Sequence, residues 1–191
     1  MALNGSDSKY LPPPAVGRWR AYERSGLQIR RFVGLGIFER LDPYALTSLL
    51  GLQVLKLDDL TFLPAATREL VANADAWSGA AIATGDSHII LLNSAQSPNR
   101  QTATLMEEVC HILLGHRPSM VSQTTIGGRD YDHFKEEEAY AVGAAALIPY
   151  FLLKSALTAG EAPKDLAKRL GVSVALLTYR VKGLHLSSLF T

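Results

Sequence analysis

Cysteine is nearly absent. The 191-residue chain holds a single one, Cys110, so no intramolecular disulfide can form and a cysteine-based zinc knuckle is excluded. A reducing cytoplasm is the simplest setting for such a composition. An excess of one charge is lacking too: 19 Lys and Arg stand against 18 Asp and Glu, a net charge of +1. No bulk electrostatic pull toward nucleic acid or an anionic membrane follows. No apolar run reaches the roughly 20 residues that a membrane-spanning helix needs, and the first residues lack the basic-then-apolar order of a secretory signal. No membrane partner is expected. What is present is apolar residues, 48% of the chain, enough for one compact domain with a real core.

Residues 1–17 are polar and then proline-rich (Pro12, Pro13, Pro14), which predicts a disordered or extended arm. A helix is expected within residues 21–34. Asp42 and Pro43 form an N-cap and first helical position for a second helix ending at Gly51. Leu52 to Leu57 alternate as a strand does, and a short helix is expected over 60–72. Two apolar runs, Gly79 to Thr84 and His88 to Asn93, flank Gly85-Asp86-Ser87 in a hairpin pattern. Ser97-Pro98 opens a helix that Gly115 stops. After a polar loop, a helix runs from about His133 to Ile148, and Pro149 starts a shorter one. The C-terminal stretch reads as two helices with a turn at Gly171. The fold class is therefore α+β: a small mixed sheet against several helices. Residues 18–160 are expected to form the main domain, with 161–191 as a helical pair packed on it.

The informative segment is TLMEEVCHILLGH, Thr104 to His116. On a helix Glu107 and His111 are four residues apart and share a face. Zinc metallopeptidases place two ligands at i and i+4, with a Glu at i+1 that takes a proton from the attacking water. Here Glu108 holds the base position and His111 the second-ligand position, with Glu107 in the first. The plain alternative is an i,i+4 ion pair worth about 0.2–0.5 kcal/mol. Against it, Leu105, Met106, Val109, Cys110, Ile112, Leu113 and Leu114 surround the acidic pair, and buried charges without a partner are costly. A second acidic helix, FKEEEAYAVGAAALIP, can bring a carboxylate near Glu138 to the His111 face. Alternatively, Glu136 to Glu138 simply complement that helix's N-terminus.

Taken together these segments resemble the ImmA/IrrE family of metallo-endopeptidases, over roughly Phe32 to Gly183. The resemblance is carried by GLGIFERLDPYALTSLLGLQV, the strand ILLN, Arg100-Gln101 before TLMEEVCHILLGH, EEAYAVGAAALIP and LAKRLGVS, in that order and spacing. It implies a zincin-like fold. It implies His111 as a zinc ligand, Glu108 as general base and Glu138 as the third ligand, with the register among Glu136, Glu137 and Glu138 open. It also implies a protein substrate inside the cell, such as a helix-turn-helix transcriptional repressor, in a stress or mobile-element response. Where the family's first ligand is His, this chain has Glu107. A carboxylate binds zinc at about 2.0–2.2 Å, so Glu107, His111 and Glu138 form a ligand set. Two negative charges lower the ion's Lewis acidity and shift preference toward manganese or iron(II). The alternative is a degenerate site without metal, in an inactive relative that binds a regulatory protein or DNA.

Other groups carry weaker signals. His116, just past Gly115, suits a helix C-terminus better than a ligand role. Asp130, Asp132 and His133 read as loop groups and an N-cap, and Tyr131 and Tyr140 as packing residues rather than oxyanion donors. Cys110 has no evident base and reads as packing. Ala167, Gly171 and Leu177 have helix-turn-helix spacing, and Thr178, Arg180 and Lys182 with Lys164, Lys168 and Arg169 make a modest basic patch. A helical pair packed on the domain explains the same pattern.

Overall fold

A computed structural model of the chain describes residues 17–59, 77–84, 87–116 and 133–190. The arm, the helix expected over 60–72, the Gly85-Asp86 turn and most of the polar loop fall outside these residues. Among the described residues there are seven α-helices and a three-stranded sheet, an α+β fold as the sequence predicts. By compactness the chain divides into two units, one of residues 42–143 and one of residues 1–41 with 144–191.

The unit of residues 42–143 holds the sheet. Helix α1 (Arg18–Phe32) precedes it in sequence, and α2 (Pro43–Leu49) opens it. As expected, Asp42 caps α2, its Oδ1 accepting from the Tyr44 amide at 3.0 Å, with Pro43 at the first turn. Strand β1 (Gln53–Lys56) follows, then the hairpin β2 (Gly79–Thr84) and β3 (Ser87–Leu92). The spatial order is β1-β3-β2. β3 pairs parallel with β1, with Ile90 opposite Val54, and antiparallel with β2, with Ile90 opposite Ala81. Ile90 and Leu92 point to one face, as residues two apart on a strand must, and both are fully buried.

Helix α3 (Pro98–Leu113) packs on β2 and β3. Its N-cap Ser97 accepts from the Arg100 amide, and its apolar side buries Leu105, Met106, Val109 and Cys110 completely. Helix α4 (His133–Leu147) carries the second acidic segment. At Gly143 an added Cβ would lie 3.2 Å from Met106 Cγ and 3.4 Å from its carbonyl carbon. Glycine there lets the backbones of α3 and α4 approach closely, which sets the rotation of α4 about its axis.

The other unit is helical. It contains α1, the last turn of α4, α5 (Tyr150–Thr158), α6 (Pro163–Leu170) and α7 (Val174–Gly183). Pro149 has no N–H to continue α4, and the freed carbonyls at its end are taken by two arginines. Arg30 Nη1 donates to Ala146 O at 2.8 Å and Arg180 Nε to Ile148 O at 3.1 Å. Arg180 also donates to Glu23, both fully buried, and Glu23 accepts from the Tyr150 amide that begins α5. Burial pulls Arg180 down to about 9 and Arg30 to about 10, so both stay protonated at neutral pH. Of the basic patch read from the helix-turn-helix spacing, Arg180 is thus interior, and Arg169 is paired with Glu161 through two bonds of 2.9 and 2.7 Å. Lys164, Lys168 and Lys182 remain exposed. Among the described residues no single helix is long and apolar enough to cross a membrane; α4 and α5 together have the length but bend by 54° between them.

Candidate metal centre

Three side chains from α3 and α4 converge within the unit of residues 42–143. Each of Glu107, His111 and Glu136 offers a ligand atom, and these atoms all lie within 4.8 Å of one another. His111 Nε2 is 3.5 Å from Glu136 Oε2. Glu107 and His111 come together because they are one helical turn apart. Glu136 joins them because it is seven residues before Gly143, two turns along α4 on the same side. The face that Gly143 turns toward Met106 therefore carries Glu136 toward α3.

Glu138, the third ligand implied by the resemblance, takes a different partner. Its Oε2 lies 3.2 Å from His116 Nε2. His116 in turn places its Nδ1 3.1 Å from His111 Nδ1, the rings meeting edge to face with centroids 5.1 Å apart. The helix stop explains this contact. Gly115 adopts a φ of 69°, a conformation that side chains beyond glycine resist. Its amide donates to Ile112 O at 3.1 Å and the His116 amide to His111 O at 2.9 Å. This pair of bonds is the Schellman motif, which folds the residue after the glycine back over the last turn. His116 thus closes the helix through its backbone amide, while its ring lies on His111.

The electrostatics are those of crowded carboxylates. Burial, then the charges of Glu108 and Glu136, push the Glu107 carboxyl up to about 7, and Arg100 offsets this only in part. Burial, with the charge of His116, lowers His111, against the pull of Glu136. The imidazole is therefore neutral and has a lone pair to offer. Tyr140, one turn after Glu136, is raised by burial and by Glu107, so its phenol borders the cluster. Burial and Glu107 also push the Cys110 thiol up, and with no exposure Cys110 is a packing group. Glu108 is half-buried beside Glu107 on α3. His133 is exposed at the start of α4, and Asp130, Tyr131 and Asp132 lie outside the described residues.

These residues fit a divalent cation. Two ligand atoms about 2.0–2.2 Å from a tetrahedral zinc stand roughly 3.4 Å apart, and His111 Nε2 and Glu136 Oε2 are separated by 3.5 Å. That is long for a good hydrogen bond and right for two ligands of one ion. A cation also offsets the burial and the like charges that together hold Glu107 near 7. Two carboxylates and one imidazole suit zinc and harder ions alike.

Sequence reasoning missed three features. The choice of Glu136 depends on the packing of Gly143 against Met106, while the His116–His111 contact was readable in the Gly115 stop. Arg100, whose Nη2 donates to Ser78 Oγ at 3.2 Å while its charge acts on Glu107, left no signal beyond its place in the resemblance.

No curated protein matches the chain. A family model does: the IrrE N-terminal-like domain matches residues 50–182, from the end of α2 through α7 and including every member of the cluster. With more than two thirds of its length matched and an α+β fold of the expected kind, the chain belongs to the IrrE N-terminal-like family and carries a metallopeptidase domain of the ImmA/IrrE type.

Proposed function

We propose that this protein is a cytoplasmic metal-dependent endopeptidase that cuts a regulatory protein, such as a helix-turn-helix transcriptional repressor. The observation that carries the catalytic part is the convergence of Glu107, His111 and Glu136 from two helices, with Glu108 next to Glu107. The substrate class rests on the family. A bound zinc, manganese or iron(II) ion would lower the pKa of water and polarise the scissile carbonyl. Glu107, His111 and Glu136 hold that ion and fix its place relative to α3. Glu108 accepts the proton of the attacking water and returns it to the leaving amine. Burial of Glu107 strengthens the field between these groups.

One observation favours a second reading. Glu107 stands where the family has His, and two carboxylates on one ion make a weaker Lewis acid than one. An inactive relative that binds its regulatory partner without cutting it would keep the same fold.

Elemental analysis of protein purified without a His-tag separates these readings at the first step. One transition-metal ion per chain, retained in Glu108→Gln and lost in His111→Ala, supports the peptidase. A wild-type protein that takes up neither zinc nor manganese makes the peptidase untenable. Cleavage of a candidate repressor by wild type and not by Glu108→Gln then decides between cutting and binding.

A further inference from the structure

Beyond the three ligands, the structure holds a chain of four side chains: Glu136, His111, His116 and Glu138, joined by contacts of 3.5, 3.1 and 3.2 Å. With both rings neutral, two arrangements of protons exist, each satisfying two of the three contacts, and the one that serves a cation satisfies the two shorter ones. His116 Nε2–H donates to Glu138, and His111 Nδ1–H donates to His116 Nδ1. His111 Nε2 is then bare and faces Glu136. The opposite arrangement, with His116 Nδ1–H donating to His111, turns His111 Nε2–H toward Glu136 but leaves a bare His116 Nε2 against Glu138 at 3.2 Å. The first leaves its unprotonated contact at the longer distance, 3.5 Å, where a cation would bridge the two acceptors. The His116 side chain is 7% exposed and that of Glu138 44%, so the ring sits away from solvent while its carboxylate partner reaches it.

We propose that His116 and Glu138 are positioning residues for the metal ion: Glu138 fixes the tautomer of His116, which holds the His111 ring with its Nε2 lone pair aimed at Glu107 and Glu136. The inference rests on the metal site proposed above. Metal-bound imidazoles commonly donate their second N–H to an outer partner, and loss of that partner lowers metal affinity about 10–100-fold. Here the outer partner is itself an imidazole, delivered by the Schellman stop at Gly115 rather than by a neighbouring helix. His116 therefore acts through His111 and touches no ion.

The test uses the full-length, tag-free protein with zinc(II) alone, titrated against a chromophoric chelator, and with cobalt(II) alone, read by its visible absorption. Melting of the metal-free form runs alongside. His116→Ala is expected to bind one zinc about 10–100-fold more weakly, with a shifted cobalt spectrum. His116→Asn, whose Oδ1 stands near the lost Nδ1, is expected to recover most of the affinity. Glu138→Gln keeps an acceptor for His116 and stays near wild type, while Glu138→Ala falls between. If His116→Ala fails to fold, His116→Asn and the two Glu138 variants carry the same comparison. Wild-type affinity and cobalt spectrum in both His116→Ala and Glu138→Ala would overturn the proposal and leave the metal site standing. Loss of the ion in His116→Ala as complete as in His111→Ala would also overturn it, by making His116 a ligand. A wild-type protein that binds neither ion removes the metal site itself, and that is read before any variant is made.

Discussion

The C-terminal end of α4 buries charge against its opposite, while nearer its N-terminal end like is gathered with like. At the first, Arg180 and Glu23 are both fully buried, and with Arg30 they serve the last carbonyls of α4 and the first amide of α5. At the second, Glu136 joins Glu107 and Glu108, and the one cation acting on Glu107, Arg100, does not balance them. The first arrangement completes itself within the fold. The second is complete only when a proton or a cation enters. Buried charge is thus matched by its opposite in one place and unmatched in the other.

Four single substitutions and one double replacement sharpen or break this contrast. Arg180→Ala strands Glu23 in the interior and is expected to cost about 3–5 kcal/mol, seen as a lower urea midpoint. Replacing both partners, Glu23→Leu with Arg180→Met, should recover most of that loss, since a well-packed apolar pair often does as well as a buried ion pair. A loss below about 1 kcal/mol for Arg180→Ala would mean the pair is not structural.

In the metal-free protein Glu107→Gln should act in the opposite sense and stabilise, by about 1–3 kcal/mol near pH 8. The sign follows from a folded-state carboxyl held at about 7 against its ordinary 4.5. Folding is opposed by the ionised form, so the penalty is full above about pH 7 and fades as pH falls. It is gone below the ordinary Glu range, where folded and unfolded states are both protonated. Denaturation of both proteins from about pH 8 to pH 4 checks it, and a destabilised variant at the upper end would contradict the crowding.

Gly143→Leu forces a side chain into the contact with Met106 and should cost about 1–3 kcal/mol, with weaker zinc binding because Glu136 is carried away from α3. Unchanged zinc affinity in a folded variant would show that Gly143 does not set the register. Smallest is Arg169→Ala. Its partner Glu161 is held below the usual carboxylate range, first by the hydrogen bond from Arg169, and exposed pairs contribute less than about 1 kcal/mol. That contribution is present above the ordinary Glu value and fades as pH falls through the lowered one.

Much of this was legible in the sequence. Asp42-Pro43, Ser97-Pro98, Gly115 and Pro149 mark helix ends because capping and the missing proline N–H are local chemistry. The hairpin followed from two apolar runs on either side of Gly85-Asp86-Ser87. The pairing of Glu107 with His111 needed only the helical repeat. The choice among Glu136, Glu137 and Glu138 was not legible in the same way. Adjacent helical residues differ by about 100°, so the choice depends on how α4 is rotated against α3, and a tertiary contact at Gly143 decides that. The Arg180–Glu23 pair was hidden for a related reason: Arg180 reads as a basic residue on an exposed recognition helix until the packing of α7 turns it inward.

The most direct test is X-ray absorption at the zinc edge on the zinc-loaded protein. The account predicts one imidazole nitrogen in the first shell, with carboxylate oxygens at about 2.0–2.2 Å and no sulfur. Two imidazoles, a sulfur ligand, or no zinc taken up would contradict the assignment of Glu107, His111 and Glu136.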